Sequence, residues 1–437
     1  MQISLTNSSK LGAFGFPSSI EVQQNGALNA GILDMTFALQ WVQDHIDQFG
    51  GDKSRVTVAA QSAGAGGVML LGIAKNGTLG TSLFSNVCGP LTTLRSLLIM
   101  HQIIAASPYL PPQHKFDASA PTRQYGSFST RAGCANSTET LSCLRSKDLL
   151  TLQTANSDVN AANFYGHWAF APVTEPESGF INTHPSDSLA AGLVNSENIL
   201  VGNNANEGPL FVPTIDSTDA LQAWVRNAFP SVASTELEAI LAAYPLSNLE
   251  NNDTVATTGL GPVTALDTSS FASGIQQRAY NIYAEATFVC PSYWLSDAFT
   301  KNNRTAFHYQ YSVPGALHGS DVTAYFGPAT PSQPRSFNTV FRQIWSHFVT
   351  AANPATAKGL MNLTWPAWAK DGHSKMLNPN TTCGVPYSAS QLTGKNLTEF
   401  TNPGLQNDFS VVDALKWEGN RGARCELWRS IASKMPV

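Results

Sequence analysis

Three residues of this sequence could together make an activated nucleophile: Ser62, Glu207 and His318. Ser62 lies in VTVAAQSAGAGG (56–67), where a β-branched run ends and small residues crowd the serine on both sides. A nucleophilic serine on a sharp strand-to-helix turn needs that crowding, because the strained turn passes close to neighbouring backbone. The usual pattern is Gly-x-Ser-x-Gly. Here it reads Ala60-Gln61-Ser62-Ala63-Gly64, one methyl group away from it. A hydroxyl attacks a carbonyl poorly until an imidazole takes its proton, and a carboxylate must orient that imidazole and stabilise its charged form. Glu207 in NNANEG and His318 in LHGSD supply those two types, in the order serine, acid, histidine. Each is weak alone: the chain has nine histidines, and a loop histidine or glutamate is ordinarily just solvated. The order, with each residue at the end of a strand-like run, makes them one constellation.

The elements that must position them read as alternating strands and helices. GILDMTFALQWVQDHIDQFGG (31–51) sets Leu33, Phe37, Trp41 and Ile46 near helical spacing, and Gly50-Gly51 stops the helix. RVTVAAQ is a short buried-type strand, and a helix follows Ser62 to about Ala74. ENILVG is a strand ending in the loop of Glu207, and RTAFHYQYSV alternates as a strand leading to His318. Helices are expected near 218–244 and 335–352. Strands alternating with helices predict an α/β fold, a mostly parallel central sheet covered by helices on both faces. With no internal repeat and no low-complexity linker, residues 1–437 are expected to form one domain.

Composition narrows the function. Of 437 residues 43% are hydrophobic and only 13% charged, enough to fill a large core and too apolar for disorder. The net charge of −5 and the absence of any lysine or arginine run argue against a nucleic-acid partner. No apolar stretch is long enough to span a membrane. His-Glu-x-x-His, paired Cys-x-x-Cys and Gly-x-x-x-x-Gly-Lys are all missing, so neither a metal nor another cofactor is implied. Eight Asn-x-Ser/Thr sequons, at Asn7, Asn76, Asn136, Asn252, Asn303, Asn362, Asn380 and Asn396, exceed chance and suggest a secreted glycoprotein. Cys134 and Cys143 close a short loop that an oxidising compartment would lock, the alternative being buried free thiols. MQISLTNSSKLG has neither the charged start nor the apolar region of a signal peptide, and the expectation is that the true start lies upstream.

These residues resemble the type-B carboxylesterases, the family of cholinesterases and of fungal lipases and esterases. NAGILDMTFALQWVQDHIDQFGGDKSRVTVAAQSAGAG is similar to that family's signature around its nucleophile, NNANEG to its acid loop and LHGSDVTAYFG to its histidine loop. CANSTETLSCLR resembles its disulfide loop and RCELW its C-terminal segment. The resemblance implies an α/β-hydrolase fold and hydrolysis of carboxylic esters through an acyl-enzyme, with Ser62, Glu207 and His318 as the triad. It implies the bridges Cys134–Cys143 and Cys290–Cys425, and leaves Cys383 without a partner. Two departures qualify it. The family's Gly-rich oxyanion loop and first strands precede the point where the likeness begins, near KLGAFGF. That would leave the Ala63 amide as the one oxyanion donor, a bared sheet edge beside the site, and impaired turnover. VCGPLTTLRSLLIMHQ (87–102) also interrupts the likeness; valine codons begin GT and one glutamine codon is CAG, so it reads as a retained intron or as a surface insertion carrying Cys88. The competing reading is a non-catalytic binding or adhesion relative of the same fold, which the retention of all three triad types disfavours. The sequence leaves open which ester is cleaved (lipid, aryl or choline) and the oligomeric state; the aromatic stretch NFYGHWAFAPVTEPESGF (163–180) could line a pocket or fill core.

Overall fold

The computed structural model describes residues 9–79, 102–246, 269, 271–301, 304–360, 362–369, 373–394 and 396–432. Of the stretch 87–102 only Gln102 is among them; the rest of it, with Cys88, lies outside the described residues.

Eight strands are described: β1 (Thr57–Gln61), β2 (Gln102–Ala106), β3 (Asn198–Asn204), β4 (Thr305–Tyr311), β5 (Lys375–Thr382), β6 (Val385–Ser390), β7 (Asn396–Thr401) and β8 (Gln406–Asp413). Six form one sheet in the order β1-β2-β3-β4-β5-β8, parallel from β1 to β5 and antiparallel where β8 closes on β5. β6 and β7 make a separate hairpin. The mostly parallel sheet matches the sequence expectation, whereas β5 to β8 carry no strong alternation and were not legible. β1 is an edge among the described residues and its side chains are half-exposed, in contrast to the buried β2 and β3.

Period-two alternation sends neighbouring side chains to opposite faces of the sheet. Ile103, Ala105, Ile199 and Val201 face one core, with Val68 and Leu71 of the helix Ala63–Ile73 and Trp294 and Phe299 of the helix Cys290–Thr300. Ile104, Leu200, Phe307 and Tyr309 face the other, against Phe337, Phe341 and Ile344 of the helix Arg335–Ala351. Burial on both faces is what a parallel sheet requires. β4 alternates in sequence, yet both of its faces are buried. Its polar residues His308 and Gln310 are fully buried and meet a polar cluster in place of water.

The helix Ala30–His45 exists as expected, but a different side of it is buried. Ile32 and Met35 pack at Gly67 of the next helix, which turns Phe37 (73% exposed) and Trp41 (40%) outward. Cys134–Cys143 and Cys290–Cys425 are disulfides, and Cys383 is free and exposed. Among the sequons, Asn136, Asn362 and Asn396 are exposed and Asn76 is half-buried. Asn380 is buried in β5 between its sheet neighbours, so the folded chain does not present it. Asn7, Asn252 and Asn303 lie outside the described residues.

Candidate active site

The site lies beyond the carboxyl ends of β1 to β4, where parallel sheets place their ligands because the loops there diverge. Ser62 directly follows β1 and caps the helix Ala63–Ile73 at φ 59°, ψ −128°. A non-glycine residue at that positive φ is strained and must be held by its surroundings. Ser62 N–H donates to Ala106 O (2.9 Å), while Ser62 O accepts from Gly66 N–H (2.9 Å) and Tyr109 N–H (3.3 Å). The small residues serve this turn. A Cβ on Gly66 would lie 2.2 Å from Tyr109 O, so only glycine admits the crossing chain. A Cβ on Gly64 would lie 3.2 Å from the Ala60 methyl, a crowding the extra methyl of Ala60 itself creates.

Glu207 and His318 come from loops that are zipped together. Asn206 N–H donates to Ala316 O (2.9 Å) and Asn206 Nδ2 to Gly315 O (3.2 Å), and Asn206 forms a parallel bridge with Leu317. The three expected residues consequently meet. His318 Nε2 is 2.6 Å from Ser62 Oγ, and His318 Nδ1 is 2.5 Å from Glu207 Oε2. The Glu207 side chain is fully buried and that of His318 is 8% exposed. Phe288 and Phe211 flank the imidazole, with ring centroids 4.4 and 5.1 Å away. Neither ring competes for its nitrogens. Ala63 opens its helix, so its N–H has no acceptor within the helix and lies at the positive end of the dipole. Ala63 and Gly64 are exposed above the buried sheet.

Several participants were not read from the sequence. Ser107, at φ 51° just after β2, donates its hydroxyl to Glu207 Oε1 (2.7 Å), and Asn204 N–H donates to the same oxygen (2.6 Å). Asn204 Nδ2 also reaches Ser107 Oγ and Asp321 Oδ1, both at 3.2 Å. Gln61 Nε2 lies 3.2 Å from His318 Nε2, beside the serine oxygen. The only signal available in advance was position: each of these follows or ends a strand, or sits within three residues of a candidate.

The aromatic stretch 163–180 divides. Phe170 and Phe180 are core, while Tyr165 (58%) and Trp168 (59%) are exposed. Its backbone nonetheless borders the site: Gly166 O accepts from Tyr283 O–H (2.5 Å), and the Tyr283 ring stacks on Phe211 at 5.6 Å.

A family model described as the Carboxylesterase family matches residues 5–393. Among curated proteins, the chain is 26% identical over 375 residues to Secreted lipase 1 of Botryotinia fuckeliana, covering 82% of this chain and 60% of that protein. It is 26% identical over 410 residues to Lipase 4 of Diutina rugosa, covering 91% and 64%. With Lipase 2 of Geotrichum candidum the identity is 26% over 396 residues, covering 86% and 64%. The chain thus spans about three fifths of the length of these relatives. Among solved structures, Aspergillus niger EstA superposes with a TM-score of 0.73 at 22% identity, over 98% of this chain and 74% of that one, a likeness of fold.

Proposed function

The chain belongs to the carboxylesterase family, and from that premise we propose that it is a carboxylic-ester hydrolase working through Ser62, His318 and Glu207 by an acyl-enzyme. The observation that carries this reading is the continuous hydrogen-bonded line from Glu207 Oε2 through both nitrogens of His318 to the hydroxyl of a strained Ser62. As Ser62 Oγ attacks the ester carbonyl, His318 Nε2 takes its proton, and the imidazolium formed is stabilised by Glu207 across Nδ1–H. The Nε2 proton then passes to the leaving alkoxide, freeing the alcohol and leaving Ser62 acylated. Water, deprotonated by the same nitrogen, attacks the acyl carbonyl, and the carboxylic acid departs as Oγ recovers its proton.

Negative charge on the carbonyl oxygen meets the Ala63 N–H at the start of its helix. A hole resting on that donor alone turns over slowly, because each absent donor costs on the order of 10²–10³ in rate. Turnover by this chain therefore reports how many donors act beside Ala63. The ring walls of Phe211 and Phe288 suit an uncharged, apolar acyl or alkyl group, as do relatives named lipases. Export fits the two disulfides, the exposed sequons at Asn136, Asn362 and Asn396, and a relative named a secreted lipase.

The test is labelling of the full chain with a fluorophosphonate probe, alongside hydrolysis of a short-chain nitrophenyl ester. Labelling of one serine, abolished in Ser62→Ala, is the expected outcome. Equal labelling of the two proteins, or none of either, overturns the proposal; the second result favours a non-catalytic relative.

A further inference from the structure

Glu207 is not the only carboxylate buried under His318. Asp321, three residues past the histidine, is also fully buried, and a triad of this kind needs only one acid. Burying a second carboxylate without a partner cation is costly, so its retention calls for a reason. The groups facing it come from every neighbouring element. Tyr309 on β4 donates its hydroxyl to Asp321 Oδ2 (2.8 Å), and Asn204 at the end of β3 donates Nδ2–H to Oδ1 (3.2 Å). Asp321 N–H in turn donates to Asn204 Oδ1 (3.1 Å). Glu207, His318, Tyr311 and Tyr325 lie within electrostatic reach, and His318 is the group among them that can become cationic.

The direction of these bonds is fixed. The two hydrogens of Asn204 Nδ2 go to Asp321 and to Ser107 Oγ, so the Ser107 hydroxyl must give its own hydrogen to Glu207. A proton added at Asp321 Oδ1 would meet the Asn204 amide hydrogen, which can only donate, and one added at Oδ2 would require Tyr309 to turn its hydroxyl round and accept. Either position breaks or reverses a contact of the network. Gly202 makes the arrangement possible, since a Cβ there would lie 2.0 Å from Tyr309 Cζ and push the phenol away from Asp321.

We propose that Asp321 is a second positioning carboxylate: ionised, it holds the Asn204 amide that orients Ser107 on Glu207 and adds negative charge beneath the imidazolium, and protonated, it loses that charge and loosens the alignment. The inference rests on the assignment of Ser62, His318 and Glu207 above. Burial, with Glu207 nearby, pushes the Asp321 carboxyl up to about 6, inside the range where a histidine-dependent serine changes reactivity. Reactivity of Ser62 then falls in acid through two ionisations, with the steeper limb that two coupled groups produce.

The experiment is the rate of fluorophosphonate labelling of the full chain between about pH 5 and pH 9, with melting temperatures measured in parallel. Asp321→Asn is expected to lower the plateau rate about tenfold and to reduce the acid limb to a single ionisation. Asp321→Glu, which keeps the charge, is expected to restore the two-step limb. Tyr309→Phe removes only the donor to Oδ2, and its acid limb is expected to move to higher pH; it decides the matter if the Asn variant fails to fold. Normalised profiles of Asp321→Asn or Tyr309→Phe that superpose on the parent overturn the proposal, since a purely structural role changes the amount of reactive protein and not the shape of the curve. Ser62→Ala separates the two readings. If it labels like the parent, the nucleophile assignment fails; if it does not label while the profiles superpose, only the role of Asp321 fails.

Discussion

Replacing Glu207 by glutamine changes one atom and is expected to be among the most damaging substitutions near the site, for a reason the hydrogen bonds dictate. Glu207 Oε1 accepts two hydrogens, from Ser107 Oγ (2.7 Å) and Asn204 N (2.6 Å), while Oε2 accepts from His318 Nδ1 (2.5 Å). A glutamine must set its carbonyl oxygen where the two donors converge, which turns its NH₂ group toward His318 Nδ1. That nitrogen must then accept, so the ring proton moves to Nε2. With Nε2 protonated, His318 cannot take the Ser62 hydrogen across their 2.6 Å contact. The same tautomer fault in a serine protease costs about 10⁴ in rate, equivalent to about 5 kcal/mol of transition-state stabilisation. Nitrophenyl-ester hydrolysis and fluorophosphonate labelling at about pH 8 measure it, with the melting temperature confirming that the fold survives. Adding Ser107→Ala removes one of the two donors that fix the amide, and the double variant is expected to regain roughly fivefold, the worth of one hydrogen bond. A Glu207→Gln protein within tenfold of the parent would refute this account of how the carboxylate is held.

Two further outcomes follow from groups outside the triad. Burial, with Arg421 nearby, holds the His308 imidazole down to about 3, and burial holds His167 down to about 4. Both are neutral when folded and bind a proton more readily when unfolded, so their stabilising contribution is complete above about pH 6.5 and is lost as pH falls toward those values. The melting temperature should drop between about pH 7 and pH 4, and the drop should flatten in His308→Gln; an unchanged slope in that variant would count against the assignment. The two disulfides should differ in worth, because Cys290–Cys425 spans a sequence separation of 135 and Cys134–Cys143 one of 9. Loop entropy gives about 5 kcal/mol for the long bridge and about 3 for the short one. Denaturant unfolding of the paired Cys→Ser variants should rank them in that order.

Much of this could be read before any coordinates, and what could not has a common physical cause. β1, β3 and β4, the serine turn and both candidate loops were legible because each strand-like run stops abruptly at polar or small residues, although β1, which reads as a buried-type strand, is half-exposed in the fold. The helix Ala30–His45 was legible as a helix, but not the side it buries, since Phe37 and Trp41 are large apolar residues and yet the packing surface is chosen by what fits at Gly67. Ser107, Asn204 and Asp321 were invisible for a different reason. A serine, an asparagine and an aspartate in loops are ordinary surface residues by type, and only the convergence of three strand ends buries them. β5 to β8 escaped because β5 is buried through polar side chains such as Asn378, Asn380 and Thr381, which read as loop.

The end of β3 explains why so many polar groups are buried here. Adjacent residues of a strand face opposite sides of the sheet. Asn204 joins the Glu207, Ser107 and Asp321 network, and Asn203 faces the reverse side, where its Oδ1 meets His308 Nε2 (3.1 Å) and its Nδ2 donates to Gln310 Oε1 (3.1 Å). Gln310 Oε1 also accepts from Arg421 (2.6 Å), whose guanidinium, with that of Arg424, pairs with the buried Glu285. β3 is therefore gripped from both faces just before its chain turns into the loop that carries Glu207. Apolar packing alone tolerates small slips of a strand end, whereas hydrogen bonds in a low-dielectric interior are directional and costly to break. Breaking the rear grip, as in Asn203→Leu, should accordingly loosen the angle at which Glu207 meets His318 even though residue 203 touches neither.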